Sequence, residues 1–164
     1  MTDYIIDLFT LFDVKNEIWD AIKKAEKYFE IKLDYIKPNE NIYYLEELSY
    51  KGRIFIASNL TLNDTYIILN KYNVDAFITK VVSAEEAKAF TTNANFYKYM
   101  KRFTNANSVF ITRAKEVIEV AMNAGFKVIL IGNGSRLSSL KDLLNHTSNH
   151  RIDTTMGDSS IRCV

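Results

Sequence analysis

Short apolar runs alternate along this chain with stretches in which apolar residues recur every three or four positions, the periods of buried strands and amphipathic helices. Tyr4-Ile5-Ile6-Asp7-Leu8-Phe9 is apolar except for one acid and reads as a buried strand. Asp13 is placed to cap a helix over residues 13–29, with Ile18, Ile22, Ala25 and Phe29 on one face and Lys23, Lys24 and Lys27 elsewhere. The only proline marks a turn at Lys37-Pro38-Asn39-Glu40. A short helix over 42–48 follows, with Gly52 near its C-cap. Arg53-Ile54-Phe55-Ile56-Ala57-Ser58-Asn59 then reads as a buried strand over 54–57 that stops at a small hydroxyl residue.

Beyond it the pattern predicts a helix over 60–72 ended by Asn73, a strand over 76–78, and a turn of helix with Glu85 and Glu86 capped by Ser83. A helix over 95–103, a strand over 108–111, a helix over 114–123 stopped by Gly125, a strand over 127–131 and a last helix over 137–144 complete the series. Strands alternating with helices imply right-handed crossovers. The fold class is α/β: a three-layer α/β/α sandwich around a mostly parallel, Rossmann-like sheet. In such sheets ligands bind at the carboxyl ends of strands, which places Asp7, Ser58, the segment after Ile78, and Thr112 along one edge.

At 164 residues the chain suits one domain over residues 1–145, followed by a polar tail over 146–164. Hydrophobic residues make up 48% and charged residues 25%, and the net charge of +1 gives no field that favours nucleic acid or a membrane surface. Tyr43, Tyr44, Tyr97 and Tyr99 beside Lys98, Lys101 and Arg102 suggest base stacking, but helical spacing divides them between core and surface, so no nucleic-acid partner is expected. The single cysteine, Cys163, leaves no internal disulfide, there is no span-length apolar run, and Met1-Thr2-Asp3-Tyr4 lacks a basic leader; the expected compartment is the cytoplasm.

The ordered set of segments resembles the haloacid dehalogenase-like (HAD) superfamily. Asp7-Leu8-Phe9-Thr10-Leu11-Phe12-Asp13 looks like its first motif, in the branch with an aromatic residue two places after the nucleophile. Ile56-Ala57-Ser58-Asn59 resembles the second motif, and Thr91-Thr92-Asn93-Ala94-Asn95-Phe96-Tyr97 stands where the family carries a lysine before an aromatic helix start. Val109-Phe110-Ile111-Thr112-Arg113, then Ala121-Met122-Asn123-Ala124-Gly125, parallels the fourth motif. The resemblance implies a HAD-like sheet with residues 13–41 as a minimal cap. It makes Asp7 the candidate nucleophile and the one carboxylate for Mg²⁺, with Ser58, Asn59 and, more weakly, Lys88 as anion contacts.

The departures bear on activity. The family's glycine is missing between Asp7 and Thr10, Phe9 stands where phosphatases have an acid, the lysine position is Thr91, and the metal-binding acids are Thr112 and Val117. Loss of one preorganised group lowers a rate by about 10²–10³. The first reading is therefore a catalytically impaired homologue acting as a binding or interaction protein for a small anion or a protein partner, with no cofactor expected. An active phosphatase using Asp7 and Mg²⁺ is the alternative, and an oligomeric structural protein the third reading. A metal-free dehalogenase is disfavoured, since residues 13–41 are too few for a multi-helix cap. Plainer roles stay open: Ser58 as a helix cap, Asp7 as a turn residue, Gly132-Asn133-Gly134-Ser135-Arg136 as a loop, Trp19 as core, and His146 and His150 as tail residues.

Overall fold

The computed structural model describes residues 1–15, 33–132 and 134–147. Thr2–Asp7 forms β1, followed by one turn of helix, α1, at Leu8–Leu11. Leu8 and Phe9, expected to extend the strand, therefore belong to a buried helical turn that starts directly after Asp7. Phe12–Asp13 (β2) pairs antiparallel with Lys37–Pro38 (β3), so Pro38 sits at a two-residue edge strand rather than in a turn. The helix expected over 13–29 lies almost entirely outside the described residues, as do Trp19 and the segment from residue 148, including His150.

A 3-10 turn at Glu40–Tyr44 runs into α2 (Leu45–Ser49), then β4 (Gly52–Ser58) and α3 (Leu62–Lys71). Gly52 opens β4 instead of closing the preceding helix. It pairs with Thr2, and a Cβ there would stand 1.9 Å from the Thr2 carbonyl oxygen. The strand expected over 76–78 lies later, at Lys80–Ser83 (β5), while Asp75–Phe77 is a 3-10 turn. Ser83 then caps α4 (Ala84–Ala87) in a reciprocal box: Ser83 Oγ accepts from Glu86 N, and the Glu86 carboxylate accepts from Ser83 N. The remaining elements are α5 (Ala94–Met100), β6 (Ser108–Thr112), α6 (Ile118–Asn123), β7 (Lys127–Leu130) and α7 (Leu140–Thr147). The last helix thus starts three residues later than its pattern suggests, because Leu137 first bridges to Ile131.

The sheet is parallel throughout, in the order β5-β4-β1-β6-β7. Strand alternation sorts the side chains into two cores. Tyr4, Ile6, Ile54, Ile56, Val81 and Ile111 face the layer that contains Leu45, Leu48, Ile68, Leu69, Leu140, Leu143 and Leu144. Ile5, Phe55, Ala57, Val82, Phe110 and Val128 face Phe96, Tyr97, Met100, Ile118 and Ala121. These are the three layers of an α/β/α sandwich. No helix among the described residues is long and apolar enough to cross a membrane.

The chain winds outward from β1 through β4 to β5, then returns across the sheet to β6 and winds out to β7. The direction of winding reverses between β1 and β6. At such a switch point the loops leave in opposite directions and open a crevice beyond the strand ends. Asn41, 4% exposed, braces this region: its Nδ2 donates to the Thr10 carbonyl at 2.9 Å and its Oδ1 accepts from Leu140 N at 2.8 Å. One amide thus ties the turn after β1 to the start of α7. Substituting Asn41→Ala leaves the Leu140 N–H without this partner, while the Thr10 carbonyl keeps a bond from Asn39 Nδ2, and is expected to lower unfolding free energy by about 1–3 kcal/mol in a urea titration.

Candidate functional site

The two strands that meet at the switch point end in Asp7 and Thr112, and their side chains touch. Thr112 Oγ1 donates to Asp7 Oδ2 at 2.9 Å, and Thr112 Oγ1 in turn accepts from Ala114 N at 2.9 Å. Asp7 is 3% exposed. Burial pushes its carboxyl up to about 6; the Thr112 hydroxyl, the Phe9 backbone N–H and the positive charge of Arg113 oppose that rise, and Glu116 adds to it. Odd-numbered residues of β1 face the layer of Tyr97, so Asp7 lies on that side. Its charge joins desolvation in holding the Tyr97 phenol well above its ordinary range.

Tyr97 is fully buried and packs edge-on against Phe110, with ring centroids 5.3 Å apart. Its hydroxyl donates to the Thr91 carbonyl at 2.6 Å. Thr91 is clasped by Asn59: Thr91 N donates to Asn59 Oδ1 and Asn59 Nδ2 donates to Thr91 Oγ1, both at 2.9 Å. A threonine joined to an asparagine and a tyrosine therefore occupies the place where the motif order calls for an ammonium. Asn59 is brought to the Asp7 side of the sheet, but both polar ends of its amide are already engaged with Thr91.

Ser58 falls on the opposite parity of β4, with Ile54 and Ile56, and meets α3. Its hydroxyl lies 2.7 Å from Thr65 Oγ1. The Thr65 proton is given to the Thr61 carbonyl at 2.7 Å, so Ser58 is the donor of the pair. Ser58 Oγ also accepts from Leu60 N at 3.1 Å. It does not cap a helix starting near Leu60; the N-cap is Thr61, whose Oγ1 accepts from Asp64 N at 3.1 Å. The next free N–H of that helix start, Leu62, donates to Glu85 Oε1 at 2.8 Å. Ser58 was expected to contact an external anion, and instead its hydroxyl goes to Thr65 while the Leu62 N–H beside it goes to Glu85.

Lys88 is exposed and sits in the left-handed region at φ 55°, as the C-cap of α4. The cation that acts on Asp7 is Arg113, which follows Thr112 directly and which the motif reading assigned no role. Its Nε donates to the Phe9 carbonyl at 2.9 Å, and its Nη2 donates to the same oxygen and to Asp13 Oδ1 at 2.7 Å. An arginine at a strand end beside a conspicuous acid is the only sequence signal that pointed to it.

A Mg²⁺ held through Asp7 needs further hard oxygens in near-octahedral array. The candidate oxygens on the segments after β1 and β6 are otherwise engaged: Thr112 with Ala114 N, the Phe9 carbonyl with Arg113, and Asp13 with Arg113 and Asn39. Among the described residues no three His, Cys, Asp or Glu side chains come together. This donor set does not fit the ion.

No family model and no curated protein matches the sequence. Solved structures do match the fold. A HAD phosphatase from Thermococcus onnurineus is 13% identical with a TM-score of 0.69, covering 88% of this chain and 97% of its own. A HAD hydrolase from Bacillus subtilis, bound to magnesium, is 10% identical with a TM-score of 0.68, covering 88% and 98%. L-2-haloacid dehalogenase from Xanthobacter autotrophicus, with chloropropionic acid covalently bound, is 14% identical with a TM-score of 0.63, covering 82% and 78%.

The raised Asp7 carboxyl has a consequence for stability. A group protonated more readily in the folded state stabilises the fold fully below its unfolded value of 3.8, and that contribution is lost as pH rises through about 6. Asp7→Asn keeps an acceptor for Thr112 and removes the charge. The variant is expected to be more stable than the parent by roughly 2–3 kcal/mol at pH 8, with the gain shrinking towards pH 4. Thermal melts of the two proteins across that range check both size and direction.

Proposed function

We propose that this chain, which has the HAD-like fold, does not transfer phosphoryl groups with the help of a metal and works instead as a binding or interaction protein. The single observation behind this reading is that the polar groups at the Asp7–Thr112 edge are aimed at one another. Catalysis of phosphoryl transfer depends on charges held ready for a group that is not yet there. At this edge a hydroxyl replaces the second carboxylate, Thr91 replaces the ammonium, and the Leu62 N–H is given to Glu85. The partner in this reading is a small anion or a protein, and its chemistry is neither nucleic acid nor lipid.

A second reading keeps Asp7 as a working nucleophile. A buried carboxylate pushed up to about 6 at a topological switch point is the kind of perturbed group that active sites accumulate. As a nucleophile it would have to be ionised, and above that value most of the molecules hold it so. What this reading lacks is a group to neutralise a transferred phosphoryl and a base to release it as a product.

The two readings separate in one assay. Purified protein and its Asp7→Asn variant are given an aryl phosphate, with and without Mg²⁺. The proposal expects no release above that of the variant, a deficit of at least about 10⁴ relative to a fully equipped site when two or more preorganised groups are absent. Metal-dependent turnover that disappears in Asp7→Asn would sink it.

A further inference from the structure

Three oxygens converge on one nitrogen of Arg113, the residue after Thr112. Arg113 Nη2 lies against the Phe9 carbonyl oxygen, 2.7 Å from Asp13 Oδ1 and 3.3 Å from the Phe12 carbonyl oxygen. The Phe9 oxygen also receives Arg113 Nε at 2.9 Å. A terminal guanidinium nitrogen carries two protons in a fixed plane, so it cannot serve three acceptors with good geometry. A cluster of two carbonyls and a carboxylate around one point of positive charge is the kind of oxygen set that suits a hard cation. The turn Leu8–Leu11 and the short strand Phe12–Asp13 produce it by curling their backbone around the arginine.

Phe9 links this nest to the buried acid. Its N–H bonds to Asp7, and its carbonyl accepts from Arg113. We propose that Arg113 is a built-in cation: it fills, with the chain's own guanidinium, an oxygen nest that would otherwise take a divalent metal ion. The proposal rests on the reading above that the site works without a metal, and it names the residue responsible. The guanidinium excludes a metal in two ways, by using the oxygen lone pairs and by repelling a second positive charge. It also supplies Asp7 with a permanent positive neighbour. The place is open to ions, since the Arg113 side chain is 34% and the Asp13 side chain 57% exposed. Removing the arginine leaves two carboxylates and two carbonyls without their cation.

The test measures Mn²⁺ binding to the full chain by the loss of the free ion's paramagnetic resonance signal, counting only binding that Asp13→Asn removes. The parent and Arg113→Lys, which keeps a positive charge, are expected to leave the signal intact to millimolar Mn²⁺. Arg113→Ala is expected to bind Mn²⁺ at least about tenfold more tightly than the parent. A merely structural arginine would produce no such gain. Asp13-dependent binding by the parent at micromolar Mn²⁺, or a folded Arg113→Ala protein with no gain, overturns the proposal. If Arg113→Ala does not fold by circular dichroism, Arg113→Met, which keeps the apolar stem and drops the charge, takes its place: a tenfold gain over the parent supports the built-in cation, and no gain, or tight binding by the parent or Arg113→Lys, refutes it. Aryl phosphate turnover does not enter this measurement, so a failure here and a failure of the functional reading are told apart.

Discussion

Asp7 lies at the one place in the sheet where the winding direction reverses, and it is buried there with Thr112 donating to it from the neighbouring strand. Taking a carboxylate out of water is unfavourable, and the surroundings offset only part of that penalty, since the acid ends well above its ordinary range. Much of the adjoining structure follows from accommodating this charge. The backbone turns into a helix immediately after it, which aims the Phe9 N–H at the carboxylate. That same turn sends the Phe9 carbonyl outward, where it meets the guanidinium of Arg113. The Thr112 hydroxyl bridges two loops, because it donates to β1 and accepts from the segment after β6.

The two faces of the sheet divide the work. On the side of Tyr97, the polar residues join into a relay from Asn59 through Thr91 to a phenol that feels the Asp7 charge. On the other side, Ser58 and Thr65 pin the start of α3 to β4. Strand alternation, not chemical kinship, assigns Ser58 and Asn59 to these separate duties, though they are adjacent in sequence. A one-residue step along a strand exchanges its faces. Burial makes this partition costly to alter, because each hydroxyl or amide moved to the wrong face loses its partner in a dry environment.

Much of the fold was legible from patterning. The alternation of apolar runs with helical periods and the Ser83 cap on the turn that holds Glu85 and Glu86 depend on local sequence and appear where expected. The strand placed at Ala76–Ile78 was misplaced for a local reason: that triad is a longer apolar run than Val81-Val82, but Asp75–Phe77 forms a 3-10 turn just before the sheet. The site was less legible. Arg113 acts through the carbonyls of Phe9 and Phe12, about a hundred residues away, and a carbonyl oxygen leaves no mark in a sequence. The role of Ser58 depends on which face it takes, and that depends on register. The order of strand ends brought Thr112 to Asp7, but the partners that Ser58, Asn59 and Arg113 take depend on packing.

Those choices separate an enzyme pocket from a structural knot built on the same frame. In a pocket that stabilises a transition state, donors and cations are held in place against their own electrostatic preference, with nothing yet in front of them. Such an arrangement is strained until the substrate arrives. Here the preference has been followed. The helix start takes Glu85, the threonine in the lysine's place takes Asn59, and the carbonyls beside the acid take Arg113. The Asp7 carboxylate is still held against its preference, buried and raised above its ordinary range. If the chain still recognises something at this edge, the interaction has to work through that carboxylate and the arginine beside it, because the neighbouring donors already have partners. That edge presents a carboxylate and a guanidinium joined through one residue, both signs of charge side by side, where a pocket for a transferred phosphoryl group holds donors and cations in readiness.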